Sequence, residues 1–172
     1  NNWDFNALGA IYEKAAGENA FQAFERLIAR PIGMQDFTAR DGIFVGNASS
    51  RYPAYVFSMS ARDLARFGLL YLNEGRWNGT EIIPPRWVDE STRPYSKTDR
   101  KGRSYGYLWW VLDPNLWGER VILALGYGGQ HMAIIPEKRV VALELVELDG
   151  GSHLVRTADF LDFVRKITEL LH

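Results

Sequence analysis

The sequence predicts an α+β fold, with helices and long loops over residues 1–103 and an antiparallel meander closed by a helix over residues 104–172. Three observations carry this expectation. Apolar residues recur at helical spacing through the first part, aromatic and β-branched runs broken by short turns begin at Ser104, and an amphipathic stretch ends the chain. At 172 residues, 47% of them hydrophobic, the chain can bury a sizeable core, and its length suits one domain better than two.

Leu8, Ile11, Tyr12 and Ala15 mark a first helix from Phe5 to Ala16, with Asp4 able to cap it and Gly17 placed to end it. Phe21, Phe24, Leu27 and Ile28 make a second helical face, which Pro31 and Gly33 stop. From Met34 to Met59 periodicity fails, and a long irregular stretch is expected. Ser60 followed by Asp63 has the spacing of a capping box and opens a helix running to about Asn73, ended by Glu74-Gly75. Asn78-Gly79 is a turn signal, Glu81 to Ile83 a short extended piece, and Pro84-Pro85 the start of a brief helix. A polar loop fills Ser91 to Arg103.

Strands are expected at Tyr105–Val111, Arg120–Leu125, Gln130–Ile135 and Arg139–Val146, with Asp113-Pro114-Asn115 breaking the first from the second. Apolar residues at Leu154, Ala158, Leu161, Val164, Ile167 and Leu171 make the closing helix, which can cover one face of the sheet. Alternation along a strand would send Trp109 and Trp110 to opposite faces, at least one of them to the core.

Charge narrows the partners. Twenty basic and 21 acidic residues leave a net charge of −1, which gives no electrostatic reason to expect nucleic acid or an anionic membrane, so a small-molecule or peptide substrate is expected. No run approaches the roughly 18 apolar residues of a membrane helix. Cysteine is absent, which excludes disulfides and thiolate metal sites without fixing a compartment. His131, His153 and His172 are scattered without metal-ligand spacing, so no metal or cofactor is expected.

Five segments, in order, carry a family likeness: Asn1-Asn2 followed by Leu8-Gly9, Pro31-Ile32-Gly33-Met34, Ser60 to Gly68 with Asn78-Gly79, Tyr105-Gly106-Tyr107-Leu108-Trp109-Trp110, and Gly126-Tyr127-Gly128-Gly129-Gln130. Together they resemble the C-terminal part of the serine β-lactamase and penicillin-binding-protein fold, nearer to class C β-lactamases and esterases than to class A. Such enzymes use a Ser-x-x-Lys, a Ser/Tyr-x-Asn and a Lys/His-x-Gly motif. No Ser here has a Lys three positions later, and no Tyr stands before Asn1. The resemblance therefore implies a single partial domain, 1–172, whose nucleophile and base lie in a preceding portion, with the chain by itself inactive. It also implies a periplasmic or secreted bacterial setting.

What the resemblance implies for residues is specific. Asn2 would be the amide that donates to the substrate carbonyl and accepts from the lysine. Tyr127-Gly128-Gly129 would stand where the family has Lys-Thr-Gly or His-x-Gly, and the backbone N–H of Gln130 would be one oxyanion donor. Gly128 lets a substrate approach the strand closely, and Trp109 is a candidate wall of the cleft. Tyr127 departs from the usual Lys or His and brings no positive charge, which puts a β-lactam carboxylate in doubt as the natural ligand group. The expected reaction is hydrolysis of an ester, amide or β-lactam through an acyl-enzyme; a non-catalytic peptidoglycan- or ligand-binding relative is the alternative.

Overall fold

A computed structural model describes residues 2–46, 51–147 and 154–171, without the side chain of Asn2. The chain separates into two compact units, residues 1–66 and 67–172.

The first unit opens with α1 (Asn2–Ala16), which begins three residues earlier than its apolar pattern and ends at Gly17, whose N–H bonds to the Glu13 carbonyl at 2.9 Å. Asn19 starts α2 (Ala20–Phe24) by accepting from the Phe21 and Gln22 N–H groups. The helix continues as a π turn over Glu25–Ala29, then closes where Gly33 adopts φ +67°. The segment expected to be irregular instead contains a 3₁₀ turn (Ala39–Asp41) and a hairpin of β1 (Gly42–Val45) and β2 (Ala54–Phe57). Both strands are largely half-exposed, so the alternation that normally announces a strand is absent. Rings of Phe21, Phe24, Phe37 and Phe57 fill the space beneath the hairpin, with centroids 4.9–5.9 Å apart.

Helix α3 (Ala61–Leu72) starts as its sequence predicts, but Asp63 does not turn back to form the expected capping box. Ser60 Oγ does accept from the Asp63 N–H, at 3.3 Å. The Asp63 carboxylate, fully buried, accepts instead from the N–H groups of Gln35, Asp36 and Phe37 at 2.8, 2.8 and 2.9 Å. It thereby satisfies three backbone donors just past the end of the preceding helix.

The second unit contains the small hairpin of β3 (Arg76–Trp77) and β4 (Thr80–Glu81), joined by Asn78 and Gly79 at φ +48° and +82°. Two left-handed residues in a two-residue loop are the type I′ turn that Asn-Gly announces. Helix α4 (Pro85–Ser91) follows with proline in its first turn. Next comes the six-stranded sheet: β5 (Ser96–Lys97), β6 (Arg103–Tyr105), β7 (Trp110–Leu112), β8 (Val121–Gly126), β9 (Gln130–Ile135) and β10 (Val140–Glu144). Every strand pairs antiparallel with its chain neighbour, so the sheet is an uninterrupted meander. A short α5 (Pro114–Trp117), capped by Asp113, sits between β7 and β8.

Two details differ from the sequence reading. The polar loop 91–103 contributes the edge strand β5, and the run Tyr105–Val111 is two strands, broken where Leu108 adopts φ +66°. The Gly106 N–H bonds to the Trp109 carbonyl at 2.8 Å and the Tyr107 N–H to the Ser91 carbonyl at 2.8 Å, which hold this bend.

Helix α6 (Thr157–Leu170) buries Phe160, Leu161 and Val164 against Leu112, Val121, Leu123, Ala133, Ile135 and Ala142 on one sheet face. The other face is buried as well: Val111, Ile122, Met132 and Ile134 are at most 4% exposed. There Gly68 of α3 comes so close that a Cβ on it would lie 2.6 Å from Val141 Cγ1. Burial on both faces explains why β9 reads as a continuous apolar run rather than an alternating one.

Candidate active site

The turn between β8 and β9 is the element on which the sequence places most of the chemistry. Gly126 and Gln130 stand opposite each other as the last pair of the ladder, and Tyr127, Gly128 and Gly129 cross between them. Gly128 and Gly129 adopt φ +79° and +102°, conformations that a side chain resists. At Gly129 there is a second reason for glycine, since a Cβ would lie 2.7 Å from Val146 Cγ2 and 3.3 Å from Val155 Cβ. The turn is thus packed on its inner side and open on its outer side, where Tyr127 is 80% exposed.

Tethers fix the first residues of β9. The Gln130 amide Nε2 donates to the Val146 carbonyl at 2.6 Å, so its side chain is committed to the fold. His131, 2% exposed, lies 3.4 Å by Nδ1 from Glu144 Oε2 and 3.4 Å by Nε2 from Thr157 Oγ1, with its ring stacked on Phe160 at 5.0 Å. It joins β9, β10 and α6. His153 and His172 lie outside the described residues. Among the described residues no group of three His, Asp or Glu side chains could hold a metal ion.

The β6–β7 bend is at the same end of the sheet, because Trp110 pairs with Leu123 and β8 runs on from there to Gly126. Trp109 is 7% exposed, packed on Tyr71 at 4.8 Å and stacked on Phe67 at 6.4 Å. Burial raises the pKa of the Tyr71 hydroxyl, which shares a hydrogen bond with the Trp109 indole. The indole therefore holds the bend in place, while the exposed aromatic surface there comes from Trp87, Tyr95 and Tyr107. Tyr95 and Tyr107 stack at 4.9 Å, and Trp87 leans on Tyr107 at 5.7 Å. This trio had no signal in sequence, since its members come from a helix, a loop and a bend.

Asn2 belongs to the first unit, where it opens α1; its side chain and Asn1 lie outside the described residues. Tyr127, Gly128, Gly129 and Gln130 come together in one turn of the second unit. No helix among the described residues is long and apolar enough to cross a membrane.

Residues 1–164 match the family model described as Beta-lactamase. Among solved structures, the chain is similar to a provisionally named 6-aminohexanoate-dimer hydrolase from Bacillus anthracis, at TM-score 0.74 and 22% identity over 98% of this chain and 42% of that one. It is similar to a penicillin-binding protein from Bacillus halodurans at TM-score 0.62 and 16% identity, over 97% of this chain and 55% of that one. A penicillin-binding-protein homologue from Caulobacter crescentus matches at TM-score 0.55 and 16% identity, over 77% of this chain and 48% of that one. The chain thus spans about half the length of these structures. No curated protein matches it by sequence.

Proposed function

Because the chain belongs to the β-lactamase family, we propose that it forms the C-terminal part of a serine hydrolase whose nucleophile, in a Ser-x-x-Lys, is carried by chain preceding Asn1. In that reading the serine Oγ attacks the carbonyl carbon of an ester or amide while its proton passes to the neighbouring base. The leaving group departs with a proton, and water then hydrolyses the acyl ester and frees the serine.

The observation that carries the reading is the Gly126–Gln130 turn, open outward and tethered inward. Since the Gln130 side chain is held by Val146, what this residue offers to substrate is its backbone, at a fixed position. Its N–H is assigned as one oxyanion donor, a contribution of about 3 kcal/mol to the transition state. Gly128 lets the substrate lie against the strand, and Tyr127 offers a neutral hydroxyl. A neutral group at that position favours an uncharged ester or amide over a β-lactam carboxylate. Asn2 is assigned to position the substrate carbonyl, and Trp109 to hold the bend that borders the substrate.

The test is labelling of the intact protein with a fluorophosphonate, located by mass spectrometry. One adduct on a serine preceding Asn1, with none on the isolated 172-residue chain, is the expected result. No adduct on the intact protein would remove the catalytic reading in favour of a ligand-binding relative, and an adduct on a serine within this chain would overturn the assignment of the nucleophile.

A further inference from the structure

A cavity of about 430 Å³ opens at the other end of the sheet, among β6, β7 and the loops that enter them. It is lined by Lys97, Arg100, Lys101, Arg103 and Arg120, against a single carboxylate, that of Asp113. In a chain of 20 basic and 21 acidic residues this is a strong local imbalance.

Nothing among the described residues neutralises it. The ion pairs among the described residues involve other side chains, and none of the five cations is paired there with a carboxylate. Arg120 donates to the Thr92 carbonyl and hydroxyl, and Arg100 lies over the Trp110 ring at 5.4 Å, contacts that position the groups without cancelling charge. The Asp113 carboxylate accepts from the Asn115 backbone and amide as a helix cap. Burial, then repulsion from Arg100, lowers the pKa of Arg103, as expected of a cation partly withdrawn from water beside another.

The wall is built rather than incidental. Thr98 Oγ1 donates to the Arg103 carbonyl at 2.7 Å, the Arg103 N–H bonds to the Arg100 carbonyl at 3.0 Å, and the Asp113 N–H bonds to the Gly102 carbonyl at 3.0 Å. These bonds fold the cationic loop beside the exposed rings of Pro94 and Pro114, which give the cavity apolar surface. Arg100 and Arg103 beside each other, with Lys97 and Lys101 lining the same concave site and apolar proline surface next to them, suit a small organic anion, its charged head on the cations and its body on the proline surface.

We propose that this cavity is a binding site for a small organic anion bearing a phosphate group, separate from the Gly126–Gln130 turn. Leu112 pairs with Val121 at the cavity end of β8, and Gly126 closes the other end of the same strand. At about 3.3 Å per residue the two lie roughly 17 Å apart. A doubly charged head suits the site better than a monocarboxylate because Arg100 and Arg103 stand beside each other and Lys97 and Lys101 line the same cavity.

The experiment is titration of the intact protein with phenyl phosphate and with inorganic phosphate, followed by calorimetry and by amide chemical shifts. Phenyl phosphate should bind with a Kd on the order of millimolar or tighter, shift residues 97–104, and weaken as salt rises. Exchanging Arg100 and Arg103 together for Gln should weaken binding at least about tenfold. Lys101→Gln, at an exposed position with no part in the fold, should weaken it by about threefold and stands in if the double variant does not fold. Lys166→Gln on α6 should change nothing. Absence of saturable binding, an unchanged Kd in both the double variant and Lys101→Gln, or binding only to phosphatidylglycerol vesicles and not to phenyl phosphate would each overturn the proposal.

Discussion

Replacing Asp63 by alanine should be among the most damaging single changes in the first unit. The carboxylate is fully buried, yet the groups it serves belong to the segment that follows the π turn: the N–H groups of Gln35 and Asp36, partly buried, and that of Phe37, buried. A buried donor left without an acceptor costs about 1–3 kcal/mol. Water can reach the Gln35 and Asp36 amides in part, so the sum for Asp63→Ala is about 4 kcal/mol rather than the upper limit of about 9. Asp63→Asn should cost about half as much. Its carbonyl can stand where Oδ2 stands and keep the Asp36 and Phe37 bonds, but its NH₂ then faces the Gln35 N–H. Urea unfolding followed by fluorescence gives the difference at constant slope, and hydrogen exchange at the three amides locates it. An Asp63→Ala chain within about 1 kcal/mol of the original, with these amides still protected, would refute the reasoning.

Three further outcomes are expected. On the proposed hydrolase reading, Tyr127→Phe in the intact protein should lower kcat/KM on a neutral p-nitrophenyl ester by roughly ten- to a hundredfold with folding unchanged, because the side chain is 80% exposed; unaltered kinetics on every substrate tried would take the tyrosine out of the site. Gly129→Ala, at φ +102° with Val146 Cγ2 2.7 Å from the new Cβ, should destabilise by about 2 kcal/mol or more and disturb the Gln130 backbone, so a variant of full stability and activity would contradict the geometry. Asp36 is held down to about 2 from 3.8 by hydrogen bonds from Arg62 and then Ser60. A lowered carboxylate stabilises the fold above its unfolded pKa and loses that contribution as pH falls through the folded one, so an acid titration of stability should fall between about pH 4 and 2, and Arg62→Gln should flatten that limb.

The elements that could be read in the sequence are those whose signals are local. Gln130–Ile135 is a strand because both of its faces are buried, and Asn78-Gly79 is a type I′ turn because those two residues accept positive φ. The bend that splits Tyr105–Val111 could not be read, because a leucine at φ +66° is paid for by a bond from Tyr107 to Ser91, sixteen residues away. The β1–β2 hairpin was hidden by half-exposed strands that carry no alternation. Asp63 was misread for a related reason: Ser-x-x-Asp is a local cap signal, and nothing local says that the acid will serve amides 26–28 residues upstream. Among the candidate site residues, the Tyr127–Gln130 turn was legible through its glycines, whereas the burial of Trp109 depended on Phe67 and Tyr71, which pattern alone does not bring beside it.

The same division explains how the turn can serve chemistry. A glycine pair relaxes the local backbone, so by itself Gly128-Gly129 would leave the Gln130 N–H poorly aimed. The aim comes from outside the turn: Val146 holds the Gln130 amide, and Glu144, Thr157 and Phe160 surround the buried His131 one residue on. These partners lie on β10, on the segment that follows it and on α6. The aim of the oxyanion donor proposed at Gln130 therefore depends on the docking of the last helix as much as on the turn. Thr157→Val removes one partner of His131 while leaving every turn residue unchanged. It should lower kcat more than it raises KM, as expected when a donor is misaimed in the transition state rather than removed from substrate binding. Equal kcat in the Thr157→Val enzyme would mean that the turn is fixed by the ladder alone.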